Sequence, residues 1–119
     1  MQTFFITGTG TGVGKTYFTG RFAKFATEKL SAKVAVMKPV ETGYTPTDND
    51  ITNVKKNAPL ILDIPVKLAS PYRFLLPASP ALSAKQENRR INLKKILNAY
   101  NTIKIDLNPD ILLFEGAGG

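Results

Sequence analysis

Several residue types are missing from this chain of 119 residues, and each absence excludes a class of site. Without cysteine there are no disulfide bonds and no cysteine-ligated metals. Without histidine there are no Ser-His catalytic triads and none of the common zinc sites. A bound metal must therefore have oxygen ligands, which makes Mg²⁺ the natural candidate. No apolar run is long enough to cross a membrane, and the first residues read as a strand rather than a signal peptide, so the expected compartment is the cytoplasm.

Acidic residues are few, with 9 against 16 Lys and Arg, and the net charge is +7. Such an excess can indicate a nucleic-acid partner. The bases are scattered, however, and the tightest groups are pairs at residues 55–56, 89–90 and 94–95. No aromatic residues are interleaved with them, as a base-stacking surface requires. We therefore expect a solvated basic surface, with neither nucleic acid nor a membrane as partner.

The main feature of the sequence is a glycine-rich stretch, GTGTGVGKT at residues 8–16, between a short apolar run and a helical pattern. This strand–loop–helix order is the context of a phosphate-binding loop, whose glycines let backbone N–H groups face an anion. Lys15 is expected to reach the β- and γ-phosphates, and the Thr16 hydroxyl to ligate Mg²⁺. Five residues separate Gly8 from Gly14, one more than in the usual pattern. The alternative is a Gly/Thr-rich turn without a ligand.

The hydrophobic pattern predicts a single α/β domain over residues 1–119. Strands are predicted at residues 3–7 (buried on both faces), 34–38 and 110–115, helices at 15–30, 50–57 and 93–103, and one or two helical turns at 81–87. Strand, helix and strand in this order predict a parallel pair with a right-handed crossover. A polar loop is expected at residues 40–50, and the prolines of residues 58–80 exclude long regular elements there.

Two of the predicted helices carry apolar stripes that are expected to pack on the sheet. The stripe of the first helix consists of Phe18, Phe22, Phe25, Ala26 and Leu30. The stripe of the last helix, for which Asn92 is the expected N-cap, consists of Leu93, Ile96, Leu97, Tyr100 and Ile103.

All three predicted strands end in residues that suit a phosphate ligand. Ligands of open parallel sheets bind at the carboxyl edge, where the glycine-rich loop, Lys38 and Glu115 follow the three strands in turn. A lysine at the end of a buried strand is costly unless its ammonium meets anions. Glu115 ends an apolar run, as the acid of a Walker B motif does. The alternatives are a lysine that buries only its stem and an exposed turn acid.

At these residues the chain resembles the dethiobiotin synthetase family. The matching pieces are TGT and VGKT within residues 7–16, KPVETG at 38–43, TDND at 47–50, SPYRF at 70–74, PASP at 77–80 and EGAGG at 115–119. They follow the family's order and spacing, including the extra residue of the phosphate loop. Gly12 departs from the pattern, because many members carry an acid there. The resemblance implies a P-loop NTPase-like parallel sheet with flanking helices, of which this chain holds about half.

The activity that the resemblance implies is an ATP- and Mg²⁺-dependent cyclo-ligase of biotin biosynthesis. One amine of 7,8-diaminononanoate captures CO₂ as a carbamate, ATP phosphorylates the carbamate oxygen, and the second amine closes a cyclic urea as phosphate leaves. Phosphoryl transfer of this kind depends on positioning and charge neutralisation. Lys15, Lys38 and Mg²⁺ would supply positive charge where the carbamate and the γ-phosphate meet.

The resemblance also assigns residues to sites, with Lys15 and Lys38 as the catalytic pair. The ATP-binding set is Gly12, Val13, Gly14, Lys15, Thr16, Tyr17, Asp50, Glu115, Gly116, Ala117 and Gly118. The substrate set is Thr11, Lys38 and Thr42, and the Mg²⁺ ligands are Thr16, Asp50 and Glu115. Asp50 is chosen over Asp48 because it aligns with the family's acid ahead of a helix.

Members of the family run to roughly 200 residues or more, so we expect residues 1–119 to be an amino-terminal half. The other half would carry the remaining strands, the nucleotide-base pocket and much of the surface of a homodimer. By itself the half chain is expected to be marginally stable, to self-associate and to lack detectable dethiobiotin synthesis.

Two alternative functions stay open. One is the synthetase domain of a corrinoid amidotransferase, against which the loop at residues 38–43 argues. The other is a partitioning-type ATPase that binds DNA or membrane. That class places a second lysine early in its phosphate loop, where this chain has Thr9, Gly10 and Thr11.

Overall fold

The structure is a computed structural model, and it describes residues 1–8 and 13–117. Within these residues the elements follow in the order β1 (Gln2–Ile6), α1 (Val13–Lys29), β2 (Val34–Met37), β3 (Val40–Thr42), α2 (Asp50–Asn57), α3 (Val66–Ala69), β4 (Tyr72–Phe74), α4 (Pro80–Gln86), α5 (Leu93–Leu107) and β5 (Ile111–Glu115). None of the helices in this part of the chain has the length and hydropathy of a membrane span.

The main sheet has the strand order β1-β5-β2, with both pairings parallel. The expected α/β class, with a parallel sheet and flanking helices, is therefore confirmed. β1 and β2 are parallel, as predicted, but they are not neighbours, because β5 lies between them. The last strand thus occupies the centre of the sheet, with a partner on each side.

Helices cover both faces of the sheet, and the alternation of the strands explains how. Successive residues of a strand point to opposite faces. Val34, Val36, Ile111 and Leu113 pack with residues of α1 and α2 on one face. Ala35, Met37 and Leu112 pack with residues of α5 on the other. Gly20 allows α2 to come close to α1, because a Cβ there would lie 3.1 Å from the Cβ of Asn57.

Two predictions about burial are wrong. β1 is not buried on both faces, since Phe4 is 41% and Phe5 70% exposed. The reason is its position at the edge of the sheet, where its outer side has no partner strand among the described residues. The outer side of β2, by contrast, exchanges backbone hydrogen bonds with Leu62 and Ala69.

Large parts of the two predicted apolar stripes also face outward. On α1 the exposed members are Phe18, Phe25 and Leu30, and on α5 they are Leu93 and Leu97. Of the predicted stripe α1 fully buries the small residue Ala26, and it buries Ala23, outside the stripe, as well. The close approach of α1 to both the sheet and α2 favours small side chains at these contacts, which the hydrophobic pattern alone does not reveal.

The polar segment after β2 was predicted to be a loop, but it contains a strand. Pro39 ends β2, and residues 40–42 then form β3, which pairs in parallel with β4 from the proline-rich region. The two strands have three residues each, too short for a period-2 pattern to stand out. Beyond them the predicted helix at residues 50–57 is confirmed as α2.

We predict that Phe5→Lys reduces self-association of this chain. Phe5 is 70% exposed on the open edge strand, and a lysine there opposes edge-to-edge pairing. Sedimentation velocity should show a lower average mass than for the parent chain. Leu75→Lys is the matched control, because Leu75 is 76% exposed but lies away from β1. Equal association of the Phe5→Lys variant and the parent would contradict the prediction.

Candidate functional site

The carboxyl ends of the three main strands bring the phosphate-loop helix and Glu115 together. The Thr16 hydroxyl at the start of α1 donates a hydrogen bond to Glu115 Oε1 at 2.9 Å. Since β5 pairs directly with β1, Ile6 and Glu115 are opposite each other in the register. β5 therefore lies beside β1 and Glu115 lies close to Thr16, as a Mg²⁺ ion shared by these two residues would require.

Lys38 connects the acids of this edge. Its ammonium is 2.7 Å from Asp50 Oδ2 and 4.0 Å from Glu115 Oε2, and it donates to the Gly116 carbonyl at 2.9 Å. The side chain is only 6% exposed, so the charged end itself is buried, not just the stem. Glu115 is fully buried, which excludes the alternative of an exposed turn acid.

Lys15 reaches the same place from the phosphate loop. It is buried, its stem lies against Gly8, and its ammonium donates to the Gly116 carbonyl at 3.3 Å. The ammoniums of Lys15 and Lys38 thus share one acceptor oxygen. Two ammonium groups that converge at one buried edge can both donate charge-assisted hydrogen bonds, which suits an anionic ligand.

Asp50 and Asp48 differ in what they contact. Asp50 is the first residue of α2 and forms the ion pair with Lys38. Asp48 is exposed, and its carboxylate accepts a hydrogen bond from the Asn53 side chain at 3.3 Å. Of the two acids weighed from the sequence, Asp50 is the one that lies in the cluster with Lys38 and Glu115.

Glu41 is part of the site, although sequence reasoning gave it no role. It is the central residue of β3 and only 5% exposed. Its two carboxylate oxygens accept the backbone N–H of Asp50, at 3.2 and 3.0 Å. The available signal in the sequence was an acid shortly after Lys38. This signal can be interpreted only once residues 40–42 are known to form a strand, in which Glu41 lies between two half-buried neighbours.

Burial perturbs both inner carboxyl groups. Desolvation raises the pKa of Glu41 to about 7, although the Asp50 N–H hydrogen bond and nearby Lys38 act in the opposite direction. Desolvation also raises the pKa of Glu115, against the lowering effect of Lys38. In addition, Glu115 Oε2 is buried and has no hydrogen-bond partner within residues 1–8 and 13–117. Such an orphaned oxygen is unfavourable unless a ligand or ion completes the site.

The cluster offers oxygen ligands but few acids. Within residues 1–8 and 13–117, no group of three or more His, Cys, Asp or Glu side chains is arranged to hold a metal ion. The predicted set of Thr16, Asp50 and Glu115 has one hydroxyl and two carboxylates, with the Lys38 ammonium between the two acids. Mg²⁺ is commonly held by one or two carboxylates together with water and phosphate oxygens.

The remaining predicted site residues lie around this cluster or outside the described part. Val13 and Gly14 begin α1, and Tyr17 is 63% exposed on it. Gly116 and Ala117 follow β5 and are half-buried, and so is Thr42 at the end of β3. In the described part of the chain Thr42 makes no side-chain hydrogen bond to the cluster. Thr11, Gly12 and Gly118 lie outside the described residues.

The chain is similar to known proteins along its whole length. A profile described as "AAA domain" matches residues 2–119. The chain is similar to proteins named ATP-dependent dethiobiotin synthetase BioD. It is 37% identical to that of Wolinella succinogenes, covering 100% of this chain and 55% of the relative. It is 39% identical to that of Methanocaldococcus jannaschii, covering 97% and 52%. It is 32% identical to that of Legionella pneumophila, covering 100% of this chain and 54% of the relative. The chain spans about half the length of the curated relatives it matches.

We predict that Glu41→Gln weakens the pH dependence of stability. The folded chain holds the Glu41 proton up to about pH 7, whereas an unfolded chain releases it near the ordinary value of 4.5. The folded state binds more protons between these values, so the stabilisation present below about pH 4.5 is lost as the pH rises through about 7. Denaturant titrations at both pH values should show a smaller difference in the Glu41→Gln variant. Glu87→Gln is the control, and a difference as large as the parent's would contradict the prediction.

Proposed function

Because the chain belongs to the AAA domain family, we propose that its phosphate loop binds ATP and that its site carries dethiobiotin synthetase chemistry. The observation that supports this most is the convergence of Thr16, Lys38, Asp50 and Glu115 at one buried edge. Each of these residues belongs to a sequence piece that resembles the synthetase family, although they come from different regions of the chain. A chance resemblance in separate pieces would not require them to meet in space.

In this proposal Lys15 and Lys38 neutralise the charge of the transferred phosphoryl group. Both ammoniums already lie on the Gly116 carbonyl, at 3.3 and 2.9 Å. An anion at this position would replace the neutral Gly116 carbonyl as the acceptor of both ammoniums, and charge-assisted hydrogen bonds are stronger than those to neutral acceptors. Gly12, Val13, Gly14, Tyr17, Ala117 and Gly118 complete the ATP-binding set of the proposal.

Mg²⁺ fits the oxygen atoms of the cluster. Glu115 Oε2 is a buried carboxylate oxygen to which none of the described residues donates a hydrogen bond, and a bound cation would satisfy it. Thr16, Asp50 and Glu115 would hold the ion, and its charge would help to stabilise the β- and γ-phosphate oxygens. The ion pair between Lys38 and Asp50 keeps the acid oriented toward this place.

The proposed substrates besides ATP are 7,8-diaminononanoate and CO₂. An amine adds to CO₂ and loses a proton to give a carbamate, whose oxygen takes the γ-phosphoryl group from ATP and releases ADP. The second amine then attacks the carbamate carbon, and phosphate leaves as the urea ring closes. Lys38 would orient the carbamate beside the γ-phosphate, and Thr11 and Thr42 would contact the diamine. The proposal includes a cytoplasmic location, no nucleic-acid or membrane partner, and a homodimer for the full-length form.

We expect Lys15→Ala to weaken ATP binding by about 1.5–3 kcal/mol, because a charge-assisted contact in a buried site is lost. Calorimetric titration with ATP and Mg²⁺ measures this change in Kd. Lys104→Ala is the matched control, since Lys104 is an exposed lysine on α5. Equal affinities for the parent chain and the Lys15→Ala variant would rule out the phosphate-loop role.

The activity is tested by fusing residues 1–119 to the second half of the Wolinella succinogenes relative. We expect the fusion to form dethiobiotin from diamine, bicarbonate and ATP, detected by mass spectrometry, and residues 1–119 alone to form none. Lys38→Ala in the fusion should lower kcat by at least about 100-fold, the typical effect of removing a transition-state charge partner. A folded fusion that binds ATP but forms no product would contradict the proposed substrate.

A further inference from the structure

We propose that Glu41 is a positioning residue that holds Asp50 toward Lys38, and its meaning for catalysis rests on the function proposed above. The geometry that points to this role is a chain of contacts through three residues. The Glu41 carboxylate accepts the Asp50 N–H, and the Asp50 carboxylate in turn pairs with Lys38 at 2.7 Å. Glu41 thereby acts on the cluster through the backbone of Asp50.

The strand pair β3–β4 delivers Glu41 to this place. Val40 and Thr42 are half-buried, whereas Glu41 between them is buried, as expected when alternate residues of a strand point to opposite sides. β4 holds β3 in register, with Glu41 opposite Arg73. A buried carboxylate needs hydrogen-bond donors, and the Asp50 N–H supplies one.

The start of α2 explains why this contact fixes a direction. The first N–H groups of a helix lack acceptors within the helix. Asn49 accepts the N–H of Thr52 through its side chain, and Glu41 accepts that of Asp50. The first turn is thus held at two points, at Asp50 itself and at Thr52. The Asp50 side chain therefore extends from a backbone whose position is fixed, and the Lys38 ammonium lies within reach of its carboxylate.

Loss of the Glu41 contact should be felt locally. α2 has a further support at its other end, where Asn57 packs against Gly20 of α1. Val54 and Ala58 also lie in the core between α1 and the sheet. The helix therefore remains anchored when the Asp50 N–H loses its acceptor, but the Asp50 carboxylate is no longer held toward Lys38.

The test measures how fast the Lys38 amine of the 119-residue chain is acylated by acetic anhydride, by peptide mass spectrometry, relative to exposed Lys104. The variants are Glu41→Ala, Glu41→Gln, Glu41→Asp and Glu87→Ala. Glutamine keeps an acceptor oxygen at the same reach, whereas aspartate keeps the charge but is one methylene too short. Glu87→Ala is the matched control, because Glu87 also accepts a backbone N–H, that of Leu75 at 2.8 Å, outside the site.

If Glu41 positions Asp50, the Lys38 amine should react about fivefold faster in Glu41→Ala and Glu41→Asp, because it loses its buried partner. Glu41→Gln and Glu87→Ala should stay close to the parent rate. Equal rates in all variants would overturn the proposal. If the Lys38 amine were acylated as fast in Glu41→Gln as in Glu41→Ala, the charge of Glu41 and not its hydrogen bond to Asp50 would control Lys38, which would also overturn the proposal. Should Glu41→Ala fail to fold, the comparison of glutamine with aspartate still decides.

Acylation needs neither ATP nor diamine, so its outcome is independent of the proposed reaction. An inactive fusion protein with the expected acylation pattern would refute the synthetase activity and leave the positioning role intact. An active fusion protein with unchanged acylation in Glu41→Asp would refute the positioning role alone.

Discussion

The central position of β5 is the constraint on which the site depends. The carboxyl end of β5 lies level with the ends of both neighbours, since Glu115 is opposite Ile6 of β1 and Phe114 is opposite Met37 of β2. Glu115, at the end of β5, can therefore accept the Thr16 hydroxyl from the β1 side and lie near Lys38 from the β2 side. With β5 at an edge, one of these two neighbours would be a strand further away, and the cluster would be divided.

Burial gives this cluster its chemical character. Charged groups are stable inside a protein only when they are paired or hydrogen-bonded. Lys15 and Lys38 bring two ammonium groups to this edge, and Asp50, Glu115 and Glu41 bring three carboxyl groups. Lys38 pairs with Asp50, whereas Glu115 Oε2 has no hydrogen-bond partner among the described residues. A cation bound together with the proposed phosphate ligand would give that oxygen a partner.

The site is anchored in the packed part of the molecule, although other parts are open. β2 and β5 are buried, and α2 is fixed against α1, so Lys38, Glu115 and Asp50 all start from rigid backbone. The exposed aromatic residues lie on β1 and on the outer side of α1 instead. Apart from Tyr17, which belongs to the proposed ATP-binding set, these exposed aromatic residues are not among the groups that would bind ATP, so they can be changed without altering those groups.

The sequence by itself determined what depends on neighbouring residues. The phosphate loop, the positions of the three strands of the main sheet, α2 at residues 50–57, and Lys38 and Glu115 as strand-end residues were all readable, because glycine spacing, apolar runs and turn formers act locally. The tertiary structure alone decided which apolar residues are exposed: Phe5 is exposed because β1 is an edge strand, and α1 exposes Phe18 and Phe25 because its close contacts favour alanine. It also decided the role of Glu41. That role requires residues 40–42 to pair with residues 72–74, and strands of three residues leave too short a pattern for such a distant pairing to be read from the sequence.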